Sequence, residues 1–171
     1  MRVLGVDPGL RCVGYGVIEF NKHEAGRTMQ GRNPRLKLIE AGIIRTSSKD
    51  KLTNRLNIIY NGLIQVLRAH RPDVVALEEL YSHYKNPKTA IMMAHARGVI
   101  CLAAAQAKIN VAGYAPRKVK KAVTGAGAAA KSQMQRVIMD ILGLKVVPKP
   151  HDVADALALA ITHINVSSRK I

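Results

Sequence analysis

Three strand patterns in succession, with no helical pattern between them, open the sequence, and this order constrains the fold more than any other feature. The apolar run at residues 3–6 stops at Asp7-Pro8-Gly9, and strand-forming residues follow at 12–20 and 36–46. The polar, basic segment 21–35 has no periodicity and is predicted to be a loop. Because no crossover helix separates these strands, we predict that they form an antiparallel meander.

From residue 52 onward, helical and strand patterns alternate. Apolar residues recur at helical spacing in 52–69, and residues 73–80 contain a continuous apolar run that is typical of a buried parallel strand. The pattern further predicts a long helix at 87–108, a strand at 110–115, and helices at 117–124, 131–142 and 152–164. We therefore predict an α/β fold in one domain, residues 1–171. Its five-stranded mixed sheet has three antiparallel strands and then parallel strands, and helices flank it.

The charge balance favours a polyanionic partner. Lys and Arg outnumber Asp and Glu by 27 to 11, and the isoelectric point is about 10.3. Residues 81–150 hold twelve Lys or Arg and a single acid, Asp140. A solvated basic surface is the alternative interpretation. Such one-sided charge repels itself unless a partner relieves it, so we favour a nucleic-acid-binding face.

Two sequence features bear on where the protein works. No apolar run reaches the roughly 18 uncharged residues that a membrane span needs, and the first residues lack the apolar stretch of a signal peptide. Cys12 and Cys101 are not spaced as a metal-binding pair and are predicted to be buried, reduced thiols. These features predict a soluble, cytoplasmic protein.

Two acids end predicted buried strands. Asp7 follows the first apolar run, at the carboxyl edge where open α/β sheets usually build sites, although it could merely start the turn. Glu78 ends the apolar run of the fourth strand, although an acid near solvent would also fit there. Glu79 points to the opposite face, because side chains alternate along a strand. Only one of the two glutamates can therefore face Asp7.

Two further acids begin the last predicted helix. Asp152 and Asp155 lie three residues apart and share one helix face, while residues 156–161 behind them are apolar on every side. N-capping by Asp152, with Asp155 in the first turn, is the alternative, but capping does not require both acids. Carboxylates from separate strands and a helix suit Mg²⁺, which takes oxygen ligands, whereas His and Cys are not arranged as a zinc set.

The chain resembles the RuvC family of Holliday-junction resolvases in five stretches: RVLGVDPGLRCVGYGVIE, VVALEELY, HARGVICLAAA, APRKVKKAVTGAGAAAKSQMQ and HDVADALALAITH. Each stretch is a weak motif alone, but five in the right order are specific. The resemblance implies a ribonuclease H-like fold and a homodimer. It also implies an endonuclease that resolves four-way DNA junctions by two symmetric nicks in recombination and repair, with the RuvA–RuvB branch-migration complex as partner.

The resemblance also assigns residues. It places the metal carboxylates at Asp7, Glu78, Asp152 and Asp155, and the basic catalytic residues at Lys120 and Lys131. It prefers Glu78 to Glu79 because the family's acid comes first after the aliphatic strand. It implies Mg²⁺, with Mn²⁺ as a substitute, and two ions per active site. The basic loop 21–37 is longer than expected and its role stays open, as does that of His151 beside the metal set.

Basic and aromatic residues near these acids are predicted to contact DNA. The family's aromatic near the junction centre falls on Tyr81, which could stack on an unpaired base. The predicted phosphate contacts are Lys85, Lys88, Arg117, Lys118 and Lys121. A loop packed on the body is the alternative for the tyrosine, and a solvated helix face is the alternative for the lysines. The excess apolar surface of the helix at 87–108 could form the dimer contact.

Three other functions compete with this interpretation. A sugar-kinase or actin-like ATPase also opens with an apolar strand that ends in Asp and Gly, but it binds nucleotide between two such domains. A non-catalytic DNA-binding module would use the acids only as caps. A ribonuclease H-like enzyme could act on another nucleic acid, such as an RNA–DNA hybrid, and physical reasoning alone does not separate it from a resolvase.

Overall fold

The protein's structure, a computed structural model, describes residues 1–22, 33, 35–80 and 87–168. Its strands are Arg2–Asp7 (β1), Cys12–Phe20 (β2), Leu36–Arg45 (β3), Val74–Glu78 (β4) and Asn110–Tyr114 (β5). Its helices are Leu52–His70 (α1), Pro87–Gln106 (α2), Pro116–Thr124 (α3), Lys131–Leu142 (α4) and His151–Ser168 (α5). The predicted order and type of these elements are confirmed. The last helix runs past the predicted end at residue 164, and the Ser168 hydroxyl bonds to the Ile164 carbonyl there.

The five strands form one mixed sheet in the order β3-β2-β1-β4-β5. β1 pairs with β2, and β2 with β3, in antiparallel fashion, whereas β4 runs parallel to both β1 and β5. The crossovers through α1 and α2 make this possible, because parallel neighbours need a long connection and antiparallel ones do not. The predicted mixed sheet, antiparallel in its first part and parallel in its second, is confirmed.

Alternation along the strands divides the core into two layers. In β1, Val3 faces the layer formed with α3, α4 and α5, and Leu4 faces the layer formed with α1 and α2. In β4, Ala76 faces the first layer and Val75 the second. Because every second residue shares a face, Asp7 and Glu78 are placed on the side of the sheet that α5 covers.

Two glycines let α5 lie unusually close to the sheet. A Cβ added at Gly5 would stand 1.9 Å from the carbonyl oxygen of Ala156, and one at Gly14 would stand 2.0 Å from that of Asp152. No other residue fits either position without moving the helix backbone. The side chains of α5 from Val153 through Ile161 are buried, apart from Asp155. The helix that is apolar on every side is therefore the central packing element, as its sequence predicted.

Helix α2 is only partly covered by the rest of the chain. The stretch from residue 88 to 106 is long and apolar enough to pass a length-and-composition test for a membrane span, and 22% of it is buried. Core helices of soluble proteins pass the same test, and α2 packs in the second layer through Ala96, Ile100, Ala103 and Ala104. Ile91 and Leu102 are 56% and 52% exposed, so the helix presents apolar side chains outward as well.

Both cysteines differ in part from the prediction. Cys12 and Cys101 are free thiols, but each is half-buried rather than buried. Cys101 packs at the border of the second layer. Cys12 begins β2, where the strand is still close to the surface. The expectation that both thiols are buried is therefore wrong, and Cys12 lies beside an acid of the site described below.

Replacing Gly5 with alanine is expected to destabilise the protein by about 2–3 kcal/mol, because the methyl group overlaps the backbone of α5. The measurement is urea unfolding followed by circular dichroism. Gly127→Ala is the matched control, since the nearest atom would lie 3.7 Å away, and it should change stability by less than about 0.5 kcal/mol. Equal stability of the two variants would contradict the close approach of α5.

Candidate active site

The acids at the ends of two parallel strands lie next to each other. Val6 of β1 pairs with Leu77 of β4, so Asp7 and Glu78 occupy the next position on each strand. Asp152 and Asp155 project from the first turns of α5, the helix that covers this face of the sheet. Asp152 is the second helical residue and not the residue before the helix, so it does not have the N-cap position that the capping interpretation requires.

The four carboxylates line one cavity of about 410 Å³ together with two lysines. Its other walls come from the turn after β1 and from α2, α3 and α4, and the full lining is Asp7, Pro8, Gly9, Glu78, Met93, Pro116, Val119, Lys120, Lys131, Met134, Asp152, Asp155 and Leu159. The structure thus brings together all six residues predicted to be catalytic. Their catalytic role itself stays a prediction.

Three of these carboxylates, Asp7, Glu78 and Asp155, have raised pKa values, and burial is the largest cause in each case. Burial, followed by the charges of Glu78 and Asp155, raises the pKa of Asp7 from 3.8 to about 8. Burial also raises the pKa of Glu78, and Asp7 partly offsets this by a hydrogen bond. The raised pKa favours a protonated Asp7 at neutral pH without metal, and its O–H then donates a hydrogen bond to the Glu78 carboxylate. Burial raises the pKa of Asp155 as well, while the charge of Lys131 lowers it.

Lys131 stands at a position that helix stability alone does not favour. It is the first residue of α4, where a cation opposes the helix dipole at a cost of about 0.3–1 kcal/mol. Its Nζ lies 3.9 Å from an Asp155 carboxylate oxygen, and its side chain is 68% exposed. Such an exposed pair contributes little to stability. The lysine is therefore better explained by the cavity it borders than by the helix it begins.

The donor set suits a hard divalent cation. Carboxylate oxygens are the ligands that Mg²⁺ prefers, and the raised pKa values of Asp7, Glu78 and Asp155 show that Lys120 and Lys131 do not neutralise the cluster. A cation would supply the missing charge. Within the described ranges, no three His, Cys, Asp or Glu side chains are gathered tightly enough to form a ready-made metal site. The carboxylates would have to draw together around an ion.

The remaining predicted residues lie elsewhere. Glu79 is outside the cavity, with its carboxylate beside Gly113 of β5. Lys118 and Lys121 line a separate groove on the far side of α3, and the Lys118 ammonium lies 5.5 Å from the Tyr114 ring centre. Arg117 and His151 are exposed and do not line the cavity. Lys88 lies in a neighbouring groove. Tyr81 and Lys85 fall outside the described residues.

Three residues at the site were not predicted from the sequence. Met93 of α2 forms one wall, and nothing distinguishes it from the other apolar residues of that helix. The Nε of Arg97 donates to the carbonyl oxygen of Glu78 at 3.1 Å. An arginine within an otherwise apolar helix is visible in the sequence and could have indicated a role at the site. The Cys12 thiol lies beside Asp152, and burial followed by the charge of Asp152 raises its pKa.

A mixed sheet of this order, with a carboxylate cavity at the ends of β1 and β4 and lysines around it, defines a nuclease with a ribonuclease H-like fold. The family model described as crossover junction endodeoxyribonuclease RuvC matches residues 3–163. A protein of that name from Rhodopirellula baltica is 48% identical over 159 residues, which cover 93% of this chain and 83% of the relative.

Solved structures agree with this match. The structure of Thermus thermophilus RuvC has a TM-score of 0.86 and 33% identity, and covers 99% of this chain and 97% of that one. A second structure, of T. thermophilus RuvC in complex with a Holliday junction substrate, also has a TM-score of 0.86, with 32% identity, and covers 99% and 96% of the two chains. The chain belongs to the RuvC family of crossover junction endodeoxyribonucleases. It is accordingly a nuclease that depends on a divalent metal.

Stabilisation of the protein by Mg²⁺ is expected to grow as the pH rises from about 6 to about 9. The folded chain holds a proton on Asp7 that the unfolded chain releases near pH 4. The proton on Asp7 therefore contributes its full stabilisation of the folded chain below about pH 4, and this stabilisation is lost as the pH rises to about 8. Mg²⁺ requires the deprotonated carboxylate and must displace that proton.

The measurement is the Tm with Mg²⁺ minus the Tm with EDTA across this pH range. Asp7→Asn should flatten the dependence, whereas Glu79→Gln, which removes a charge outside the cavity, should preserve it. A Tm difference in the wild-type protein that does not change with pH would contradict the raised pKa of Asp7.

Proposed function

We propose that this protein binds four-way DNA junctions and resolves them by metal-dependent hydrolysis of two opposing strands, with the cavity described above as its active site. The observation that carries the proposal is the union of four carboxylates and two lysines in one cavity of a strongly basic protein. Membership of the RuvC family and the likeness to a RuvC bound to a Holliday junction support it.

In this proposal, Asp7, Glu78, Asp152 and Asp155 hold two Mg²⁺ ions, for which Mn²⁺ can substitute. When bound, such ions supply an activated water and stabilise the leaving oxygen of the phosphodiester. The protein's own part is to carry the carboxylates on strand ends and on a helix around one cavity, so that their side chains need only draw together around the ions.

Lys120 and Lys131 act on the phosphate in this proposal. Both line the cavity, and Lys131 lies at 3.9 Å from Asp155, at the limit of an ion pair. An ammonium group this close to the carboxylates, yet largely exposed, can reach a phosphate oxygen without giving up a strong partner. Negative charge that develops on that oxygen during cleavage is then stabilised by a fixed positive group.

We further propose that the protein acts as a homodimer through the outer side of α2. A four-way junction has two-fold symmetry, and an isologous dimer presents two active sites with the same symmetry. Ile91 and Leu102 supply exposed apolar surface on α2, and 22% of the stretch 88–106 is buried within one chain. We also propose that the protein works with the RuvA–RuvB branch-migration complex and that it is located in the cytoplasm.

One comparison of substrates tests the proposed activity. The protein is incubated with a labelled four-way junction, a plain duplex and an RNA–DNA hybrid, each with and without Mg²⁺. Cleavage of the junction alone, and only with metal, is the expected result. Preferential cleavage of the hybrid would assign a different ribonuclease H-like activity, and binding without cleavage would leave a DNA-binding module.

Amide substitutions of the acids should separate cleavage from binding. Asp7→Asn, Glu78→Gln and Asp155→Asn each remove a potential metal-binding carboxylate from the cavity while preserving shape, so cleavage should fall by roughly two orders of magnitude or more. Junction affinity in metal-free buffer should stay equal or rise slightly, because repulsion of the phosphate decreases. Glu79→Gln is the control and should cleave like wild type. Full cleavage by the Asp7 and Asp155 variants would remove these residues from the mechanism.

Disruption of the outer side of α2 should produce a monomer. Leu102→Lys places a charge in the proposed interface, and Ile58→Lys makes the same type of change on the exposed side of α1. Light scattering should give the 18.6 kDa mass of one chain for the first variant and twice that mass for the second. A wild-type monomer that still nicks both strands in concert would contradict the dimer.

A further inference from the structure

A second groove adjoins the active cavity on the side of β2 and α1. It has a volume of about 450 Å³ and shares Gly9, Met93 and Asp152 with the cavity. The rest of its lining is Leu10, Arg11, Cys12, Arg55, Lys88, Thr89 and Met92. We call it the flanking groove. The three shared residues form a common wall, so a strand that occupies the cavity would extend alongside the flanking groove.

The flanking groove is basic although it touches the acidic site. Arg11, Arg55 and Lys88 face one acid, Asp152, among the residues that line it. These three cations lie on the turn after β1, on α1 and on α2. Cys12, also in the lining, pairs with Arg45 of β3, whose charge reaches the thiol. Separate parts of the chain thus converge to place positive charge beside the carboxylate cavity.

Arg55 is held in place rather than extended into solvent. Its Nε donates to the Thr46 hydroxyl at 3.0 Å, and that hydroxyl donates to the carbonyl oxygen of Leu10 at 2.6 Å. This relay ties the start of α1 to the turn that carries Arg11. The Nε bond fixes the guanidinium plane, and the terminal nitrogens of an arginine form the fork that matches phosphate oxygens.

We propose that the flanking groove binds a phosphate of the cleaved DNA strand, one or two nucleotides from the scissile phosphate, with Arg11 and Arg55 as the contacts. This inference rests on the proposed nuclease function, because it requires a strand in the active cavity. A strand phosphate is favoured since the groove shares a wall with that cavity, and since a planar guanidinium binds phosphate in two-pronged fashion. Phosphate contacts fix the register of the strand and carry no base information.

A methylphosphonate scan tests the proposal. Each phosphate within about three nucleotides of the cut site is replaced in turn by its neutral methylphosphonate, and junction affinity is measured in EDTA buffer for wild type, Arg11→Gln and Arg55→Gln. A methylphosphonate at one position near the cut site should weaken binding to the wild-type protein several-fold. The same methylphosphonate should leave binding to the two arginine variants unchanged. Each arginine variant should also reduce the salt slope of binding by about 0.7–0.9.

Arg68→Gln is the matched control. It removes the same charge from the same helix, about 20 Å along the axis from Arg55, and should keep the wild-type response at every methylphosphonate position. Arg55→Lys keeps the positive charge but lacks the forked guanidinium, so it should restore only part of the salt slope that Arg55→Gln loses. Arg11 is exposed, so its variant should fold normally even if loss of the Thr46 bond impairs the Arg55 variant.

Failure of the proposed function and failure of the groove proposal give different results. If wild type does not cleave the junction with Mg²⁺, the proposed function fails and the flanking groove fails with it. If wild type cleaves, but the Arg11 and Arg55 variants respond to every methylphosphonate as Arg68→Gln does, the groove is a solvated basic surface and only this inference is overturned.

Discussion

The close packing of α5 on β1 and β2 is the contact on which the rest of the structure depends. Gly5 and Gly14 let the backbone of Ala156 and Asp152 approach to distances that any side chain would block. This contact buries the apolar body of α5, and it also sets the first turns of the helix beside the carboxyl ends of β1 and β4. The packing that stabilises the core therefore also fixes how far apart the carboxylates lie.

That packing creates an electrostatic conflict. Four acids share a partly buried cavity, and the nearest cation, Lys131, is too exposed to neutralise them. Burial and the neighbouring carboxylates raise the pKa of Asp7 to about 8, so without a metal a proton on Asp7 lowers the repulsion. A divalent cation would lower the same repulsion while leaving all four acids charged. The same carboxylates therefore affect both the stability of the fold and metal binding, because a proton and a metal ion compete for them.

The fold was largely predictable, because strand alternation and helical spacing are local, and β1, β4 and α5 carry strong apolar patterns. Strand alternation also favoured one glutamate facing Asp7, and only the family motif selected Glu78. The basic residues were harder. Lys118, Lys120 and Lys121 look alike in sequence, and Lys120 alone faces the cavity because burial of Val119 and Val123 sets the rotation of α3. Arg11 and Arg55 meet through tertiary packing, which leaves no local pattern.

Helix α2 links the cavity to the outer surface. Met93 separates the active cavity from the flanking groove, and Arg97 one turn later holds the carbonyl of Glu78. Leu102, about 14 Å from Met93 along the axis, lies on the exposed side. A contact that covers the outer side of α2 would therefore pack against the same helix that supplies Met93 and the bond to Glu78. In the proposed dimer, each subunit would therefore steady the wall of its partner's active cavity. This accounts for a helix that is apolar on nearly every side yet keeps a single arginine directed at the site.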